Sequence, residues 1–313
     1  MAQTRLDSIT GLGDTEVVRR ITEANTGVTY RGKTRIQSAS TSEGVWQISR
    51  TVEVGNTTEI EFANKGKYNQ IWDDRTSLFG PSGAFTNARS TAFDGVDEFC
   101  TTGNNLNFDN ASAWSASFWL NPNNLAAQRC IWSKVTNDAS VLGIGIYHTN
   151  TGGILVQMRA SGQLRSFTTN TYSLSASVWN HLVVTYDGGQ NINGLRVYID
   201  NNVDSTPGSG TITNTLLTTE NANFGRRNTG FYYSGLMDEI TWWDKALSAA
   251  EVTELYNSGL PKNPAELTFS SNLLHHWRMG DVDTVPTIFD QGSGGVDLTM
   301  FNMDSTNFDT DVP

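Results

Sequence analysis

The sequence predicts an all-β protein built around a sandwich of antiparallel strands, and three observations carry that prediction. The composition combines nine Trp, nine Tyr, fourteen Phe and 29 Gly with only 17% charged residues, which suits many short strands and turns. From residue 84 onward, short apolar runs alternate with turns rich in Asn, Ser, Thr and Gly. The stretch Trp179 to Asn201, WNHLVVTYDGGQNINGLRVYIDN, reads as two strands and a turn. Its first strand, His181 to Tyr186, is apolar on both faces, as a covered strand would be. In the second, Leu195, Val197 and Ile199 alternate with Arg196, Tyr198 and Asp200.

Taken in order, residues 1–27 are polar with a weak apolar pattern at Val17, Val18 and Ile21, expected as a short helix or an extended arm. Residues 28–80 read as a small β attachment or oligomerisation unit. Val45–Val54 and Thr57–Ala63 are expected strands joined by Gly55-Asn56, with Trp46, Ile48, Ile60 and Phe62 on the apolar face and Trp72 and Leu78 closing it. A core this small is marginal, so the unit is expected to pack on a neighbouring chain or a larger body. Gly80-Pro81-Ser82-Gly83 is the best linker.

Residues 81–313 then form the main sandwich. Strands are expected near Phe93, Phe99, 115–120, 129–134, 141–148, 154–159, 164–168, 181–186, 196–200, 223–225 and 235–243. One helix stands out. Ser248-Ala249-Ala250-Glu251 is a capping box, Leu247 and Val252 suit a hydrophobic staple, and Val252, Leu255 and Tyr256 share a face. Gly259 and Pro261 are expected to end it. The tail supplies two more strands, Leu273–Met279 and Leu298–Phe301.

The net charge of −11 argues against a nucleic-acid partner, because no Lys/Arg cluster stands ready to neutralise phosphates. No stretch has the apolar length of a membrane span, and no leader is expected in this numbering. Cys100 and Cys130 can be bridged or free.

Five ordered segments resemble the laminin-G-like branch of the concanavalin A-like jelly rolls: AFDGVDEF, SASFWL, WNHLVVTYDG, LRVYIDN and GLMDEITWWDKALSAAEVTELYNSG, spanning about 92–259. The resemblance implies a jelly-roll sandwich with one short rim helix. The tail, LLHHWRMGD…IFDQGSGGVDLTMFNMD, is similar to an element that commonly precedes such domains. The N-terminal unit resembles modules at the front of bacteriophage virion proteins. Together these imply a virion surface protein, made in the host cytoplasm, with residues 1–80 meeting other virion proteins. They also imply a homo-oligomer, by fibre precedent a trimer.

The resemblance marks Asp94, Asp97 and Asp238 as positions where relatives hold Ca²⁺. The chemistry fits, since a hard cation wants several carboxylate and carbonyl oxygens at a tight turn. Equally, Asp94-Gly95 is an ordinary turn and Asp238 a strand-end residue. For a glycan, the loop Arg226-Arg227-Asn228-Thr229-Gly230-Phe231-Tyr232-Tyr233 pairs donors with aromatics, and Trp242 is a candidate platform. Trp242 and Trp243 must point to opposite faces, so one of them is core. An interchain contact would use the same loop. Catalysis is not expected: the E-x-D-x-x-E run of glycan-hydrolysing relatives is missing, and His148, His181, His275 and His276 have no metal spacing. The sequence therefore points to a non-catalytic, lectin-like virion protein, with a purely structural decoration protein as the alternative and a glycosidase-like enzyme as a distant second.

Overall fold

The computed structural model describes residues 85–136, 141–204, 210–228 and 230–313, together with five strands between residues 5 and 62. The chain divides into two units, Met1–Thr86 and Asn87–Pro313.

In the first unit, β1 (Arg5–Asp7), β2 (Val17–Thr22), β3 (Val28–Thr34), β4 (Gln47–Val54) and β5 (Thr57–Phe62) form one antiparallel meander in sequence order. The expected β4–β5 hairpin is present, with Val54 paired to Thr57. Residues 1–27 differ from the expected arm: Val17, Val18 and Ile21 lie in a strand whose partner is β3. The proposed linker, Trp72 and Leu78 lie outside the described residues, as do the side chains of Trp46, Ile48, Ile60 and Phe62.

The second unit begins with β6 (Ser90–Asp94), β7 (Phe99–Gly103), β8 (Trp114–Pro122) and β9 (Arg129–Val135). A meander follows: β10 (Gly143–His148), β11 (Ile154–Ala160) and β12 (Gln163–Thr168). Next come β13 (Asn180–Tyr186), β14 (Leu195–Ile199), β15 (Asn202–Asp204), β16 (Ala222–Phe224) and β17 (Ser234–Trp243). After helix α1 (Ala249–Tyr256), the tail adds β18 (Leu273–Trp277), β19 (Thr287–Ile288), β20 (Leu298–Phe301) and β21 (Phe308–Asp309).

These strands make two sheets. The first runs β15-β14-β13-β8-β17-β6-β21, with β18 also on β17; the second runs β12-β11-β10-β9-β16-β7-β20-β19. Between them lies the main core, where Trp114, Phe118, Trp132, Ile146, Val184, Phe224, Trp242 and Trp277 are at most 1% exposed. The tail is thus part of the sandwich, because β20 pairs with β7 and β21 with β6.

The outer face of the first sheet is closed. Val183, Tyr198 and Trp243 project from it into a second cluster with Leu247, Val252, Leu255, Leu267, Phe269 and Leu273. The helix that covers it starts at the predicted capping box, with the Ser248 hydroxyl accepting from the Glu251 backbone and the Glu251 carboxylate accepting in return. It ends two residues earlier than expected, at left-handed Asn257 and Ser258 rather than at Gly259. Among the described residues no helix covers the outer face of the second sheet, and Leu164, Phe231 and Phe301 stay 40–44% exposed around it.

Candidate functional site

The outer face of the second sheet has an ordered pattern. Thr299, Thr101, Asn223, Ser133, Gly145, Gln157 and Ser166 are successive register partners across β20, β7, β16, β9, β10, β11 and β12. Their strand neighbours Met300, Cys100, Phe224, Trp132, Ile146, Val156 and Phe167 fill the core. Alternation therefore places this small, polar row outward. Two residues further along the same face sit Phe301 and its partner Phe99, and then Tyr147 and its partner Leu155. Phe99 and Phe301 stack with ring centroids 4.7 Å apart and planes 5° from parallel. Tyr147 lies flat along the sheet over Gly145, where a Cβ would come within 2.3 Å of its hydroxyl. Burial raises the pKa of that hydroxyl.

The loop 226–233 rises from this surface. It leaves β16 through Gly225, whose φ is +85° and whose Cβ would meet the Phe93 ring at 2.8 Å, so only glycine turns the chain here without strain. The loop lies along β9. The Cys130 amide donates to the Phe231 carbonyl, the Ser133 hydroxyl donates to the Arg226 carbonyl, and the Asn228 side chain donates to the Thr136 carbonyl. Arg227 and Gly230 pair across the turn. Consecutive arginines then part. Arg226 lies on Phe99, its Cζ 3.3 Å from the ring centroid, with Nε and Nη2 each 3.4 Å from Asn223 Oδ1. Arg227 lies over Phe231, its Cζ 4.6 Å from that centroid, and Phe231 in turn meets Tyr147 edge-on. Half-buried Arg159 projects outward from β11. Among the described residues, none of these three guanidinium groups is in an ion pair. Thr101, Asn223, Ser133, Phe99 and Tyr147 are buried, so the surface itself offers the guanidinium groups, Asn228, the exposed Phe231 and Phe301 rings, and Thr299, Gln157 and Ser166 from the outer ends of the row.

A match to the Laminin_G_3 family model, described as the concanavalin A-like lectin/glucanases superfamily, covers residues 94–253, half of the chain. The chain belongs to this family. No curated protein sequence matches it. Among solved structures, a candidate carbohydrate-binding protein from Bacteroides ovatus ATCC 8483 is similar over 99% of this chain and 92% of its own, at 12% identity and a TM-score of 0.51, a likeness of fold. The binding domain of Paraclostridial Mosquitocidal Protein 1 aligns at 17% identity and a TM-score of 0.41 over 56% of this chain, which spans 47% of that one. The Ruminococcus gnavus IT-sialidase CBM40 aligns at 12% identity and a TM-score of 0.42, over 55% of this chain and 99% of its own.

In this concanavalin A-like domain the sequence-predicted ligand residues separate. Arg226, Arg227 and Asn228 lie together on the loop, with Tyr232 half-buried beside them. Tyr233 and Trp242 are corrections: both are fully buried in the core and present no face to a ligand. Tyr233 packs edge-on against Phe93 and His148. Trp242 contacts Phe108, Trp114 and Trp132. The surface residue that sequence reasoning missed is Phe301, with the buried Phe99 ring stacked against it. The period-2 pattern of their strands was legible, but only the register brings β7 and β20 side by side.

The three carboxylates expected around a cation do not share a centre. Asp94 and Asp97 sit on an exposed turn, where Asp94 Oδ1 accepts from the backbone amides of Val96 and Asp97. Asp94 is the register partner of Ser234, four residues before Asp238, which places Asp238 about 13 Å along β17. The Gly95 carbonyl, the natural third oxygen, accepts from Arg129 at 3.0 Å. Among the described residues no group of three or more His, Cys, Asp or Glu side chains is gathered to hold a metal.

Asp238 belongs instead to a buried polar network. It accepts from Asn87 at 2.7 Å, and burial and the neighbouring Glu239 hold its pKa well above the carboxylate range. Glu239, in a bulge with φ +43°, receives His276 at 2.5 Å and Arg278 at 3.1 Å, and Arg278 also pairs with Asp281. His275 bonds separately to Asp290 at 2.6 Å, consistent with the two histidines pointing apart. Cys100 and Cys130 are free and buried.

Proposed function

We propose that the outer face of the second sheet is a glycan-binding surface and that the protein is a non-catalytic, lectin-like binding module. The observation that carries this reading is the exposed Phe301 ring, backed by Phe99 and Arg226, beside the loop side chains Arg227 and Asn228. An aromatic face covers the apolar face of a pyranose, and fixed donors and acceptors bond its hydroxyls. The carbohydrate-binding name of the Bacteroides structure supports it by analogy. The side chains on this face are donors and aromatics rather than a carboxylate pair, which favours binding without turnover. Display on a virion, attachment through residues 1–80 to other virion proteins and trimeric assembly belong to the same proposal and rest on the sequence resemblance. Any calcium would be held by Asp94 and Asp97 without Asp238.

The test is binding of the full chain to a glycan array, repeated with Phe301→Ala. Phe301 is 43% exposed, so its loss should spare folding. The proposal expects saturable binding that drops about tenfold, the weight of one stacking contact of 1–2 kcal/mol. Binding to no glycan by a cooperatively folded protein would favour the structural decoration role.

A further inference from the structure

We propose that the glycan recognised on this face carries an anionic group, a carboxylate or a sulfate, and that Arg226 and Arg227 are the residues that bind it; this rests on the glycan-binding reading above. The chain has 32 acidic and 21 basic residues, so a surface arginine here has an excess of carboxylates to choose from. Most other described cations are taken up: Lys245 pairs with Glu251, Lys262 with Glu254, and Arg278 with Glu239 and Asp281, while Arg89, Arg129, Lys134, Arg165 and Arg196 donate to backbone carbonyls. Among the described residues Arg226 and Arg227 have neither a carboxylate nor a backbone carbonyl against their guanidinium groups, although they are adjacent and share one loop.

Each is nonetheless held in place. Arg226 has its Cζ 3.3 Å from the Phe99 ring centroid, and its Nε and Nη2 reach the neutral Asn223 oxygen at the long distance of 3.4 Å. Arg227 lies over Phe231, its Cζ 4.6 Å from the ring centroid. A guanidinium stacked on a ring has its orientation fixed by the face, which leaves N–H groups for a ligand; one side of Arg227 already meets the Tyr147 hydroxyl. Such N–H groups match the two oxygens of a carboxylate or sulfate. The cost of ordering a long side chain is thus met before the ligand arrives, the usual route to affinity in a preformed site. The overall charge of −11 repels polyanions at long range, so recognition depends on these local contacts rather than on a diffuse basic field.

The experiment presents the full chain to matched neutral, carboxylated and sulfated glycans on one array, at low and physiological salt. It is repeated with the Arg226→Gln/Arg227→Gln double variant, with Arg226→Lys, and with Arg165→Gln. Arg165 bonds the Thr211 and Leu164 carbonyls and serves as a single-charge control outside this loop. The expected result is preference for an acidic arm, which also tells carboxylate from sulfate. The double variant should lose about tenfold or more, the lysine variant should lose part, and the control should be unchanged. Thermal melts of every variant show that each is folded. Equal binding to neutral glycans, unmoved by the double substitution, overturns this inference and leaves the glycan-binding reading standing. Binding to none of the arms overturns both.

Discussion

Replacing His181 by Gln should remove an acid sensitivity that is built into the first sheet. His181 is 1% exposed, with Nε2 2.8 Å from the Ser117 hydroxyl and Nδ1 without a hydrogen-bond partner. Its ring lies 4.7 Å from Trp119 and 5.7 Å from Tyr256, centroid to centroid. Burial lowers its pKa from 6.5 to about 3. The unfolded chain therefore takes up a proton below pH 6.5 that the folded chain refuses. The stability this group supports is complete above pH 6.5 and is lost as pH falls toward 3, by about 1.4 kcal/mol per unit. At pH 4.5 the loss is about 2–3 kcal/mol by the same rule. The Gln side chain does not titrate, but it loses ring contacts worth about 1–2 kcal/mol. The variant should thus be less stable at pH 7.5 and should match or exceed the wild type by pH 4.5. Asp283, whose pKa burial raises to about 6, works in the opposite sense, its stabilisation being lost as pH rises through 6. It is present in both proteins and cancels in the difference. Urea unfolding of the full chain, followed by near-ultraviolet circular dichroism from pH 4.5 to 7.5, measures that difference. A gap that stays constant across the range would refute the reasoning.

Trp242→Ala should cost about 3–5 kcal/mol in chemical unfolding, because the side chain is fully buried among three aromatic rings; lost glycan binding with unchanged stability would return it to the ligand site. Cys100 and Cys130 should resist a thiol reagent in the native protein and both react after denaturation, since burial raises both thiol pKa values. One labelled cysteine in the native state would contradict that. Millimolar calcium should raise Tm by about 1 °C or less, as a site only half-filled contributes about 0.4 kcal/mol. Here Arg129 already occupies the Gly95 carbonyl. A rise of several degrees, abolished by Asp94→Asn, would establish calcium at this turn.

Much of the sandwich was legible because its signals are local. The hairpin at 179–201, the apolar run of β8 and the Ser248–Glu251 capping box each depend on residues close in sequence. Their structures follow the pattern, with Tyr186 opposite both Leu195 and Trp114. The short strands β15, β19 and β21 were missed because two or three residues give too little periodicity. The candidate site was legible only as a loop. Arg226, Arg227 and Asn228 announced themselves by donor chemistry, whereas Phe99 and Phe301 are about 200 residues apart and meet only through the β20–β7 register. Tyr233, Trp242 and Asp238 misled for one reason: an aromatic or a carboxylate looks the same in sequence whether its strand face is covered or open.

The most direct measurement is amide hydrogen exchange of the full chain with and without the best-binding glycan. Ligand-induced protection confined to residues 223–233, with 99–101 and 299–301, is the predicted result. Protection confined to the 94–97 turn, or to the helix-covered outer face of the first sheet, would contradict the placement of the site.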